Sequence, residues 1–153
     1  MTKNHLPKVV VIGGGTGVFT VLNALKDYPV HLQAIVSTAD DGGSSGVLRE
    51  EFGILPPGDI RRALIALAPD SMQSLSRLFN YRFTKGEGLR GHTFGNLFLT
   101  ALERLNGDFN TAIKEAGKIL NIKGEVIPVT LENAKLLAKL QNGTFIIGET
   151  NID

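Results

Sequence analysis

The chain has 153 residues, 42% of them hydrophobic and 20% charged, a balance that suits one folded domain with its own core and excludes a disordered chain. It holds no Cys, which excludes a disulfide scaffold, a thiolate metal site and a Cys nucleophile together. A formal net charge of +1 provides no general pull towards nucleic acid or an anionic membrane.

The longest apolar run, Ala63 to Ala68, is far short of the roughly 20 residues of a membrane span. The stretch before Lys8 lacks the apolar core and cleavage site of a secretory signal, so a cytoplasmic protein is expected, with residues 1–153 as a single domain. Glycine stands out. There are 18, against an ordinary usage of about 7%, and nine of them lie between Gly13 and Gly58, so the excess concentrates in early loops.

Lys8 to Ile12 is a continuous run rich in β-branched residues, which predicts a strand buried on both faces. Gly13-Gly14-Gly15-Thr16-Gly17 follows. Val18, Val21, Leu22 and Leu25 then recur at helical spacing up to Tyr28-Pro29, and Val30 to Ser37 reads as a second strand. Together these make a βαβ unit. From Thr38 to Gly58 the pattern dissolves into a long loop, although Leu48, Phe52, Ile54 and Leu55 require it to fold onto something.

Helical periodicity returns with Ile60, Ala63, Leu64 and Leu67, and again with Leu75, Leu78 and Phe79. The clearest helix runs from Thr93 to Leu105. Asp108 is placed to cap another carrying Phe109, Ala112, Ile113, Ala116 and Leu120. Glu125 to Thr130 reads as a strand whose Pro128 suits an edge or a bulge. Lys135 to Gln141 has helical character, but Asn142-Gly143 followed by the alternating Thr144 to Ile147 favours a hairpin.

Four stretches carry candidate chemistry. Gly13 to Gly17, between strand and helix, forms a phosphate cradle: its amides converge without Cβ obstruction at a helix N-terminus. The dinucleotide fingerprint fails, since Val18 or Thr20 stands where its last glycine belongs, and no Walker Gly-Lys-Ser/Thr follows; NAD is not expected. The competing reading is a tight turn with Thr16 as N-cap.

Asp40 and Asp41 follow the second strand at the carboxyl end, where ligands of open α/β sheets bind. They offer hard oxygen ligands for Mg²⁺ or a general base, and Ser44 and Ser45 offer hydroxyls to phosphate or sugar. An Asx-turn and linker is the bland alternative.

In the third stretch Asp59 reads as the cap of the next helix, while Arg61 and Arg62 oppose that helix's dipole unless an anion binds there; solvated surface arginines are the rival reading. In the fourth, Arg77, Arg82, Lys85 and Arg90 face one acid, Glu87, and lead to His92 and Asn96. Gly95 in the first turn of a helix suggests close backbone approach. Thr93 and Asn96 also read as simple helix-start residues. His5 and His31 have no partners in sequence and receive no role.

These motifs resemble a known family. Val11 to Gly17, Ala39 to Gly46, Phe52 to Arg61, Leu78 to Phe83, Gly91 to Leu97, Gly107 to Phe109, Pro128 to Thr130 and Gly148-Glu149 are similar, in order, to the gluconeogenesis factors of the YvcK type. That group (UPF0052) shares a superfamily with CofD, the 2-phospho-L-lactate transferase. Gly91-His92-Thr93 departs from the family's Gly-His-Ser and keeps the hydroxyl.

The resemblance implies an α/β, Rossmann-like three-layer sandwich with a mainly parallel sheet and a C-terminal β-hairpin. It implies that the chain corresponds to the N-terminal half of such a protein. It further implies a UDP-sugar ligand such as UDP-N-acetylglucosamine, held by Gly13 to Gly17, Ser44, Ser45, Arg61, Arg62, His92 and Asn96. A bacterial cytoplasmic role in gluconeogenic growth and cell shape follows, with homo-oligomers among the expected partners. The alternative it implies is an Mg²⁺-dependent CofD-like transferase acting on a nucleotide-diphosphate-linked donor, with Asp40 and Asp41 as catalytic or metal-binding carboxylates.

Overall fold

A computed structural model describes residues 6–152; His5 and the leader-type reading of the first residues lie outside them. The chain is α/β, as expected. β1 (Lys8–Gly13), β2 (His31–Val36) and β3 (Glu125–Pro128) form a parallel sheet in the order β1-β2-β3, with Val11 opposite Ala34 and Ala34 opposite Val126. α1 (Gly15–Leu25) connects the first two strands, which completes the βαβ unit read from the sequence. β3 lies at an edge, where Pro128 sacrifices no ladder hydrogen bond.

Between β2 and β3 run α2 (Gly43–Phe52), α3 (Gly58–Leu67), a short 3₁₀ turn, α4 (Gln73–Asn80), α5 (Phe94–Asn106) and α6 (Phe109–Ile119). Leu32, Ala34, Val36 and Val126 supply the sheet's share of the core. They meet Leu22 of α1, Ile60, Leu64 and Leu67 of α3, and Ile113 and Ala116 of α6. α3 is buried almost all round, which explains why its apolar run is the longest in the chain.

Two helix starts are as the sequence predicts. Thr93 Oγ1 accepts from the amide of Asn96, and Asp108 Oδ1 accepts from Thr111 at 2.9 Å. The C-terminal hairpin also forms: β4 (Leu137–Lys139) pairs antiparallel with β5 (Phe145–Ile147), and the helical alternative for 135–141 is absent. A last turn, α7 (Glu149–Ile152), follows.

Two expectations are corrected. The long loop 38–58 contains α2, which buries Leu48 and ends at Gly53 in the left-handed conformation (φ +67°). Flanking glycines had masked that helix. β1 is covered on one face only: Val10 is 47% exposed and Ile12 72%, so its run of β-branched residues does not mark a strand buried on both sides. Gly95 does make the close approach that its place in the first turn suggests: a Cβ there would sit 2.7 Å from the Phe79 carbonyl oxygen and from Arg61 Cδ.

Candidate functional site

The glycine loop leaves the carboxyl end of β1 with Gly13 and Gly15 in conformations of positive φ (+149° and +63°) that side chains resist. Gly14 is the N-cap of α1, and Thr16 lies inside the helix, so the reading of Thr16 as cap does not hold. The Gly15 amide donates to Asp59 Oδ2 at 2.8 Å. Asp59 therefore reaches across to α1 rather than capping its own helix, which has Pro57 at its N-cap and no side-chain cap bond. Its other carboxylate oxygen faces Arg62 at 3.7 Å. The fit is tight: a Cβ on Gly14 would lie 2.6 Å from Asp59 Oδ2.

The adjacent carboxylates Asp40 and Asp41 diverge. Asp40 Oδ1 accepts from the Gly42 amide at 2.9 Å, the Asx-turn contact, while Oδ2 lies over Gly58, where a Cβ would come within 2.7 Å of it. Asp40 lines a polar cleft of about 460 Å³ together with Gly14, Gly15, Ser37, Asp59 and Arg62. Asp41 faces elsewhere. Its Oδ1 accepts from both the amide and the hydroxyl of Thr150, at 3.0 and 2.9 Å. The backbone bond foremost, with the hydroxyl's added, holds its carboxyl below the usual value against the opposing effect of burial.

Ser44, Arg61, His92 and Asn96 come together beneath this surface as a buried network. Ser44 Oγ lies 2.9 Å from His92 Nδ1 and accepts from Asn96 Nδ2 at 3.1 Å. That leaves the hydroxyl proton free to serve Nδ1. Arg61 Nε donates to Asn96 Oδ1 at 2.9 Å, and its Nη1 donates to Asn80 Oδ1. Each of the four is more than nine-tenths buried. Burial pushes the Arg61 guanidinium down to about 10, with smaller contributions from Arg62 and Arg82 and an opposing one from Asp59. Ser45 is buried as well, its Oγ close to Gly58.

The predicted site residues thus divide. Gly14, Gly15, Asp40 and Arg62 share the cleft; Ser44, Arg61, His92 and Asn96 tie α2, α3 and α5 together behind it; Asp41 engages the C-terminal turn. Sequence reasoning missed Asn80, Ser37 and the reach of Asp59. Asn80 follows Leu78-Phe79 in a quoted motif, which is the one signal that marked it. No cluster of three or more His, Cys, Asp or Glu suited to a metal ion occurs among the described residues. Nor is any helix among them long and apolar enough to cross a membrane.

The sequence model of 2-phospho-L-lactate transferase CofD matches residues 9–153. A relative from Nostoc sp. is 55% identical over 146 residues, covering 95% of this chain and 32% of that protein. The gluconeogenesis factor of Bacillus subtilis is 47% identical over 146 residues, 95% of this chain and 46% of its own length. The crystal structure of a UPF0052 family member from Bacillus halodurans superposes with a TM-score of 0.91 at 45% identity, covering 95% of this chain and 47% of that one. The chain thus spans a third to a half of the length of these relatives.

Proposed function

The chain belongs to the family of CofD, the 2-phospho-L-lactate transferase, and we propose that it forms the nucleotide-sugar-binding part of a bacterial gluconeogenesis factor. UDP-N-acetylglucosamine is the ligand class that this reading names. The observation that carries it is the gathering of Gly14, Gly15, Asp40, Asp59 and Arg62 around one polar cleft at the carboxyl ends of the first two strands.

The amide of Gly15 is occupied by Asp59, so the diphosphate takes the remaining first-turn amides of α1 and the Arg62 guanidinium. Asp40 and Asp59 accept from sugar hydroxyls. Mg²⁺ binds proteins through one or two carboxylates plus substrate phosphates, a role that Asp40 suits and Asp41, engaged by Thr150, does not. The buried network from Ser44 to Arg61 holds the cleft's backbone in place. A cytoplasmic role in gluconeogenic growth and cell-shape control belongs to this reading.

Calorimetry with UDP-N-acetylglucosamine and Mg²⁺, on this chain and on a polypeptide of its relatives' full length, is the test. Saturable heat is expected, weakened about tenfold or more by Asp40→Asn, equivalent to about 1.4 kcal/mol. Absence of binding at both lengths, or full affinity in Asp40→Asn, overturns the reading.

A transferase reading draws on Glu149, a third carboxylate lining the same cleft beside Asp40 and Asp59. One of these would take the proton of an acceptor hydroxyl as its oxygen attacks the donor's terminal phosphorus. The phosphoanhydride bond breaks and nucleoside monophosphate leaves. Release of nucleoside monophosphate from a nucleotide-diphosphate-linked donor separates this reading from binding alone.

A further inference from the structure

Arg49 of α2 is 7% exposed, and two of its three guanidinium nitrogens are unaccounted for. Nη2 donates to Asn133 Oδ1 and to the Ala134 carbonyl at 2.6 Å, pinning the segment that leads to the hairpin. Nε and Nη1 are buried with no hydrogen-bond partner. Arg49 is in none of the ion pairs among the described residues. Its charge helps to hold the Asp41 carboxyl low, but Asp41 Oδ1 is taken up by Thr150. A buried cation with idle donors is among the costlier features a fold can keep, and it points to an acceptor from elsewhere.

Arg49 lines a cleft of about 410 Å³ between α2, the 133–135 segment and α7. Lys135 supplies a second cation there, and Asp41 and Glu50 supply two carboxylates. None of its lining residues belongs to the cleft over Gly14 and Asp59.

We infer that this cleft is a second oxyanion site, in which Arg49 and Lys135 hold a phosphate or carboxylate group. The two carboxylates balance the two cations, so the site selects an oxyanion of low charge over a polyanion such as a nucleoside triphosphate. The idle donors lie beneath the surface. A small turn of the Arg49 side chain brings them to the cleft, loosens its grip on Asn133, and so links occupancy to the position of the hairpin. The inference is independent of the nucleotide-sugar reading.

The test is an NMR titration of the ¹⁵N-labelled chain with inorganic phosphate and, separately, acetate, at constant ionic strength set with chloride. A saturable shift of the Arg49 Nε resonance is expected with at least one anion. Saturation by phosphate alone identifies a phosphorylated ligand, and by acetate alone a carboxylate. Lys135→Ala, at a position more easily spared by the fold than Arg49, should weaken that binding about tenfold, while UDP-sugar affinity stays as it was. Failure of both anions to saturate overturns the site, as does an unchanged affinity in Lys135→Ala.

Discussion

Asp59 and Gly15 lie 44 positions apart in the chain and are joined by a 2.8 Å hydrogen bond from the glycine amide to the carboxylate. The contact places a fixed negative charge at the N-terminus of α1, where the helix dipole favours one, and ties the glycine loop to α3. Part of what a bound phosphate would do there is done by the protein itself.

The loop therefore has little room. Gly14→Ala brings a Cβ within 2.6 Å of Asp59 Oδ2 and 3.2 Å of Ser37 Cβ, and is expected to lose about 1–3 kcal/mol of stability. Gly17, three positions on and inside α1, has nothing within 4 Å of an added Cβ. Gly17→Ala should be neutral or stabilising by up to about 1 kcal/mol. Urea unfolding of the two variants side by side checks the contrast.

Asn96→Ala removes the acceptor of the Arg61 Nε–H and one donor to Ser44 in a single step. A loss of about 2–3 kcal/mol is expected, because the bond to a charged group is stronger than a neutral one and its removal leaves a buried donor idle. Ser44→Ala combined with Asn96→Ala should cost clearly less than the two singly added together, since both act on one network. Additive values in a denaturation cycle would break the network into separate contacts.

Asp41 gives the C-terminal turn a pH dependence. Its carboxyl is held below the model-peptide value of 3.8, chiefly by the Thr150 amide, so the unfolded chain binds the proton more readily. The stabilisation is complete above that value and disappears as pH falls through the lower folded one. Hydrogen exchange at the Thr150 amide should accelerate, relative to its intrinsic rate, over that acid range, and Asp41→Asn should flatten the profile.

Glu103 works in the opposite sense. Burial raises its carboxyl above the ordinary 4.5, Arg104 offsets only part of this, and Oε2 has no partner. Ionisation is therefore a penalty at neutral pH, and the penalty fades as pH falls towards 4.5. Glu103→Gln should raise Tm at neutral pH, and the gain should shrink on acidification. An equal gain at every pH would locate the effect in packing instead.

Local signals were the legible ones. The caps Thr93 and Asp108, the helix that follows each and the Asn142-Gly143 turn depend on residues within a few positions, and each is found in the fold. The glycine loop and Asp40 were likewise legible as a pair, because both end parallel strands. What escaped depends on distance in the chain. Nothing near Asp59 shows that its partner is Gly15, and nothing in Asp40-Asp41 shows that one carboxylate faces a cleft while the other holds Thr150. α2 escaped for another reason: glycines at 42, 43, 46 and 53 argue for a loop, and tertiary burial of Leu48 and Arg49 overrides them.

The one-sided covering of β1 makes the first strand adhesive. Among the described residues it is paired to β2 alone, its other edge offers backbone donors and acceptors, and Val10 and Ile12 are exposed on its uncovered face. Chains of this length should therefore stick to one another as concentration rises, and their melting temperature should climb with dilution reversed. A ligand that stabilises the protein and a neighbour that merely covers Ile12 would then shift a thermal scan in the same direction; only the neighbour's effect scales with the amount of protein.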